Sequence, residues 1–209
     1  HYFLQMAIRQ LSEGLITFGG AYSNHLVATA YACKELGLRS KAIVRGEQPK
    51  LLSPTLNACQ AYGMTLQFIS RQEYDKKELR FFLEEIASAN GNYLVVPEGG
   101  YHPLGAAGAA LIMDLVVDDT THICCAVGTA TTLSGLLKSL KKEQQIIGIP
   151  VLKNMHDLPE RIKFLTNQSF NTQQLKILND YHFGGYAKNT QALIEFMNLL
   201  YKKHQLPTD

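Results

Sequence analysis

Short apolar runs alternate with amphipathic stretches along most of the chain, and the two periods predict strands and helices in strict succession. An amphipathic helix over residues 1–13 leads to an apolar strand at 15–18, and a helix then runs from Ser23 to about Leu36 and stops before Gly37. The strand Lys41-Ala42-Ile43-Val44 is followed by a helix that starts after Pro54 and ends near Gly63. A strand at 65–69, a helix over about 74–90 ended by Asn90-Gly91, and the strand Tyr93-Leu94-Val95-Val96 complete the first half. Regular alternation with short continuous apolar strands predicts parallel sheets covered on both faces, an α/β fold.

Pro97-Glu98-Gly99-Gly100 and Pro103-Leu104-Gly105 interrupt the pattern before an alanine-rich helix over 105–117. This interruption predicts a domain crossing, with residues 1–98 in a small α/β domain and 99–209 in part of a larger one. The second half repeats the order: a strand at 122–127, a glycine-threonine loop, a helix at 133–142, a strand at 145–149 and a helical region to about 180. Gly184-Gly185-Tyr186 then opens onto a last helix over about 189–203. No internal repeat or low-complexity segment breaks the series.

Composition narrows the function classes. A chain of 209 residues with 46% hydrophobic content can furnish one large or two small cores. The formal net charge is +2, and the basic residues are scattered apart from pairs such as Lys76-Lys77 and Lys141-Lys142. Such pairs read as solvated helix faces, so no nucleic-acid partner is expected. Cys33, Cys59, Cys124 and Cys125 form no CxxC and have no metal-ligand spacing with histidine. They read as reduced core thiols, and no metal is expected. No apolar run reaches the roughly 20 residues that cross a bilayer, and no charged-then-apolar signal opens the chain, so a cytoplasmic protein without membrane contact is expected.

Three loops carry candidate chemistry. In Thr17-Phe18-Gly19-Gly20-Ala21-Tyr22-Ser23-Asn24-His25, an apolar strand passes through a glycine turn into a helix whose first residues are Ser, Asn and His. The free N–H groups and positive dipole end of that helix favour a carboxylate or phosphate, although Ser or Asn is equally an ordinary N-cap. The second loop, Ala126-Val127-Gly128-Thr129-Ala130-Thr131-Thr132-Leu133-Ser134-Gly135, also joins a strand to a helix. Converging amides, a glycine and threonine hydroxyls suit a phosphate, with neither Walker nor GxGxxG spacing. The third, Asp180 to Lys188, sets aromatic residues around two glycines, where a tyrosine serves either as packing or as a proton-transfer group.

In this order the loops closely resemble the pyridoxal-phosphate-dependent 1-aminocyclopropane-1-carboxylate deaminase and D-cysteine desulfhydrase family. Ser23-Asn24-His25 is similar to its substrate-carboxylate loop, Val96-Pro97-Glu98-Gly99-Gly100 to its interdomain segment, Gly128 to Thr132 to its cofactor-phosphate loop, and Gly184-Gly185-Tyr186 to its active-site tyrosine loop. The resemblance implies the tryptophan-synthase-β-like fold (fold type II), with pyridoxal 5'-phosphate between two parallel-sheet domains. It implies Ser23 and Tyr186 as catalytic groups, and Ser23, Asn24 and His25 around the substrate. Asn24, Gly128, Thr129, Ala130, Thr131 and Thr132 would hold the cofactor. A small amino-acid substrate and a homodimer are implied as well.

The match departs from the family in three places. The family's Schiff-base lysine lies in a basic segment before the helix that His1 interrupts, and its partner to the pyridine nitrogen lies beyond Leu206-Pro207-Thr208-Asp209. Lys34, Lys41 and Lys50 sit in no matching motif. The chain is therefore expected to be part of a longer enzyme, with weak or absent turnover by these residues alone. Ala130 stands where the family usually has glycine, so the phosphate loop is either slightly displaced or leaves Ala130 at an ordinary dihedral. The expected activity is deamination or desulfhydration of a small amino acid, releasing ammonia and a 2-oxo acid. The alternative is a non-catalytic cofactor- or phosphate-binding protein of the same fold.

Overall fold

The computed structural model describes residues 1–153, 155–167, 172–185 and 188–208. The chain starts in helix α1 (Tyr2–Arg9) and enters β1 (Gly14–Gly19), α2 (Asn24–Glu35), β2 (Arg39–Arg45), α3 (Pro54–Ala61) and β3 (Thr65–Ile69). A single turn, α4 (Arg71–Tyr74), precedes α5 (Arg80–Ala89) and β4 (Tyr93–Val96). These four strands form one parallel sheet in the order β3-β2-β1-β4. Alternation along β2 divides the core between the faces. Ala42 and Val44 pack with Leu26, Ala30, Leu56 and Cys59 under α2 and α3, whereas Ile43 joins Phe18, Tyr74, Phe82 and Ile86 under α4 and α5.

After α6 (Pro103–Ala110) come β5 (His122–Val127), α7 (Thr131–Lys138), β6 (Gln145–Pro150), α8 (Leu158–Thr166), β7 (Leu175–Ile177) and α9 (Gln191–His204). The second parallel sheet has the order β5-β6-β7. Its core gathers Ala106, Val127, Leu133, Leu136, Ile146, Ile162 and Leu165. Helices α6 and α7 meet at a glycine: a Cβ on Gly135 would fall 2.4 Å from the Ala106 carbonyl oxygen and 2.6 Å from Ala109 Cβ. Only glycine allows this approach, so small residues on both helices fix how deeply α7 sits.

Several expected elements differ. The helix over 74–90 is two pieces, α4 and α5, because the backbone after Asp75 tightens into three-residue turns, with Lys76 N–H donating to the Glu73 carbonyl and Lys77 N–H to the Tyr74 carbonyl, before α5 starts at Arg80. The alanine-rich helix stops at Ala110 and tightens into a 3-10 turn over Leu111–Leu115. The helical region to about 180 contains β7, which pairs in register with β6. Coverage on both faces does not extend to β5, where Cys125 and Val127 are in the core while His122, Cys124 and Ala126 are exposed. Cys33, Cys59 and Cys125 are buried thiols pushed up to about 11 by desolvation, but Cys124 is exposed on that outer face. Among the described residues no helix is long and apolar enough to cross a membrane, and no cluster of His, Cys, Asp or Glu could hold a metal ion.

Candidate functional site

The connection from β1 goes to β2 on one side, whereas β4 pairs on the other, so the first sheet has its topological switch point between β1 and β4. Loops leaving the carboxyl ends of two such strands diverge and open a crevice. Here the loop Gly20–Ser23 leaves β1 and the segment Pro97–Gly100 leaves β4, and both border a cleft of about 680 Å³. The opposite side is the turn from β5 into α7, Ala126 to Leu133, together with Val151 and Leu152 after β6.

Ser23 is the N-cap of α2, with its Oγ accepting a long 3.4 Å hydrogen bond from the Leu26 N–H. Both roles of a serine at this position therefore coexist: it caps the helix and it lines the cleft beside Asn24 and His25. The preceding turn is fastened from outside, since the Ser53 hydroxyl donates to the Ala21 carbonyl while capping α3 at the Leu56 N–H.

His25 is neutral in this setting. Thr17 Oγ1 lies 2.8 Å from His25 Nε2 and donates to the Val96 carbonyl at 2.8 Å. The single hydroxyl proton goes to the carbonyl, so Nε2 must carry hydrogen and donate to Oγ1, leaving Nδ1 as an acceptor. Desolvation pushes the imidazole down to about 4.

The α7 turn carries hydroxyls and free amides and no charged side chain. Gly128 has open space where a Cβ would stand, the Thr129 and Thr131 hydroxyls are 2.9 Å apart, and the amides that start α7 have no intrahelical acceptor. No carboxylate occurs from Ala126 to Leu133, so the set of hydroxyls and amides fits a phosphate dianion. Ala130 takes φ 69° as the N-cap of α7 and is 2% exposed, which answers the question about its dihedral: it is left-handed.

The residues expected to share a site are brought together from Ser23, Asn24 and His25 on one side to Gly128–Thr132 on the other. Tyr186 lies outside the described residues; the preceding Gly185 is placed so that a Cβ would be 3.7 Å from Lys153 Cβ, next in the chain to the cleft residue Leu152. Lys34 and Lys41 are occupied elsewhere, over the Tyr62 ring and on Asn90 Oδ1, and neither they nor Lys50 line the cleft. Sequence reasoning missed the charged part of the site. Arg45 and Asp75 stand 3.9 Å apart, and Lys77 Nζ is 3.4 Å from Glu98 Oε2. The signal lay in position, because Arg45 ends β2 and Tyr74, Asp75 and Lys77 follow β3, all at carboxyl ends of parallel strands.

A family model described as "Pyridoxal-phosphate dependent enzyme" matches residues 2–209. A putative 1-aminocyclopropane-1-carboxylate deaminase of Pyrococcus furiosus is 28% identical over the whole chain, which covers 68% of that relative. The mitochondrial bifunctional D-cysteine desulfhydrase/1-aminocyclopropane-1-carboxylate deaminase of Arabidopsis thaliana is 27% identical over 94% of the chain, which spans 55% of its length. Among solved structures, an ACC deaminase homologue superposes over the whole chain and 68% of its own, with a TM-score of 0.78 at 23% identity. The backbone is thus a fold type II arrangement of two parallel-sheet α/β units.

Proposed function

The chain belongs to the family of pyridoxal-phosphate dependent enzymes, and on that premise we propose that the full-length protein releases ammonia and a 2-oxo acid from a small amino acid. The substrates that fit the relatives' names are 1-aminocyclopropane-1-carboxylate and D-cysteine. The observation that carries this reading is one cleft bordered by two helix N-termini, the Ser23 end of α2 and the Gly128–Thr132 turn of α7. A substrate carboxylate and a cofactor phosphate need two such sites, close enough to serve one small molecule each.

In this reading the amides and hydroxyls of Gly128, Thr129, Ala130, Thr131 and Thr132 hold the phosphate, and Asn24 hydrogen-bonds the ring oxygen. The chemistry that pyridoxal phosphate supplies when bound is an electron sink for charge developing on the substrate carbon. The rest falls to the chain. Ser23 and the α2 N-terminus bind and orient the substrate carboxylate, and the Ser23 hydroxyl holds or passes a proton. His25, kept neutral by burial, shapes the substrate side of the cleft without adding a cation beside the carboxylate. Tyr186 is the proton-transfer group of the third loop. Residues 1–98 and 99–209 form the two domains that close on the cleft, in a cytoplasmic homodimer.

The two substrates are separated by their products. With one water consumed, D-cysteine gives pyruvate, sulfide and ammonia, whereas the cyclopropane gives 2-oxobutyrate and ammonia. Purified full-length protein with added pyridoxal phosphate is expected to form one of these sets. Ammonia release from neither substrate would overturn the proposal.

A further inference from the structure

Glu98 lies in the segment likened to the family's interdomain stretch, where it carries no assigned chemical role of its own, yet both of its carboxylate oxygens are engaged from the first sheet. Tyr74 Oη donates to Oε1 at 2.5 Å, and Lys77 Nζ stands 3.4 Å from Oε2. Tyr74 is a fixed anchor. It is 1% exposed, its ring packs edge-on to Phe18 with centroids 6.3 Å apart, and Lys77 Nζ lies 5.2 Å from its centroid. The hydrogen bond to an ionised acceptor is of the stronger, charge-assisted kind. The lysine also neutralises a carboxylate that would otherwise face a phosphate across the cleft.

The next residue touches the other sheet. Gly99 has φ 58°, and a Cβ there would fall 2.6 Å from Thr129 Oγ1. The Thr129 hydroxyl approaches the Gly99 carbonyl at 3.5 Å and the Thr131 hydroxyl at 2.9 Å. One residue is therefore fastened to the Tyr74 turn while its neighbour abuts the phosphate-binding turn of α7. We infer that Glu98 is a positioning residue, a latch held by Tyr74 and Lys77 that seats Gly99 against Thr129 and so sets the geometry of the phosphate-binding turn. The inference rests on the reading of Gly128–Thr132 as the cofactor-phosphate loop.

The test compares full-length wild type with Glu98→Ala and Glu98→Gln, the second keeping an acceptor for Tyr74 Oη at unchanged size. Pyridoxal phosphate affinity, read by fluorescence titration, is expected to weaken about tenfold in Glu98→Ala and only about two- to threefold in Glu98→Gln. Adding Tyr74→Phe to Glu98→Ala should cause no further loss, because the latch is already open. Without cofactor, amide hydrogen exchange in both Glu98 variants should quicken across the cleft at 128–132 as well as locally at 99–101. Faster exchange confined to 99–101, or unchanged at both stretches, would overturn the latch. Failure of wild type to bind pyridoxal phosphate, with exchange still quickened at 128–132, would instead refute the cofactor reading and leave the latch standing.

Discussion

The Thr17 hydroxyl accepts from His25 Nε2 and donates to the Val96 carbonyl, each at 2.8 Å, so one buried side chain joins β1, β4 and the imidazole at the head of α2. Thr17 sits where the sheet changes direction, which makes it a cross-brace for the crevice. Thr17→Val keeps the shape and leaves a buried carbonyl and an imidazole N–H without this partner. A loss of about 2 kcal/mol in urea unfolding is expected, together with a mixture of His25 tautomers in nitrogen chemical shifts. An unchanged midpoint and a single tautomer would refute the brace.

His25 should also govern acid sensitivity. Burial lowers it from 6.5 to about 4, so between those values the unfolded chain takes up a proton that the native state declines. Its contribution to stability is therefore whole above pH 6.5 and drains away as pH falls toward 4. Nuclear magnetic resonance titration is expected to place the His25 midpoint near 4. In His25→Asn, the fall in unfolding free energy across this window should become shallower, and an identical slope would assign the acid sensitivity to other groups.

Ala130 tests the strain in the turn that opens α7. A left-handed alanine costs about 1–2 kcal/mol relative to ordinary backbone, and Ala130 holds φ 69° with its methyl group buried. Ala130→Gly relieves the strain but loses that methyl contact and gains unfolded-chain entropy, so its stability should stay within about 1 kcal/mol of wild type. Ala130→Val adds a β-branch in the same conformation and is expected to cost more than about 2 kcal/mol. Denaturation midpoints for the pair decide this, and a well-tolerated valine would show that the turn has relaxed.

Ser23 separates capping from chemistry. Its hydrogen bond to the Leu26 N–H is long, so Ser23→Ala should cost no more than about 1 kcal/mol of stability. If the same hydroxyl serves the substrate, kcat/KM should drop by about a hundredfold or more. A modest stability change with wild-type turnover would leave Ser23 as a cap alone.

Most strands and the two loops that border the cleft, after β1 and after β5, were legible because each is written locally: an apolar run, a glycine turn, then polar residues opening a helix. Most of what escaped depends on distant partners. Strand β7 is only Leu175–Ile177, and its pairing with β6, rather than any periodicity, makes it a strand. The break after Tyr74 carries no proline or glycine; the backbone there tightens into three-residue turns, with Lys76, Lys77 and Leu79 N–H groups donating to the Glu73, Tyr74 and Lys76 carbonyls. Glu98 meets Tyr74 across a separation of 24 residues, so no motif could announce the pair. Ala130 was ambiguous for a different reason: alanine permits either dihedral, and entry from β5 into α7 selects the left-handed one.

The seam at Gly135 makes the turn that opens α7 a property of the whole body rather than of its own loop. Helix α7 is seated against α6 at backbone distance, and α6 in turn meets α1, where His102 at its head stands 5.6 Å from the Phe3 ring. A larger side chain at Gly135 would act as a wedge, lifting α7 and tilting its first amides away from a ligand that the wedge never touches. Binding defects caused there would mimic a damaged active site, and loop substitutions would not repair them; smaller residues on the facing helix would.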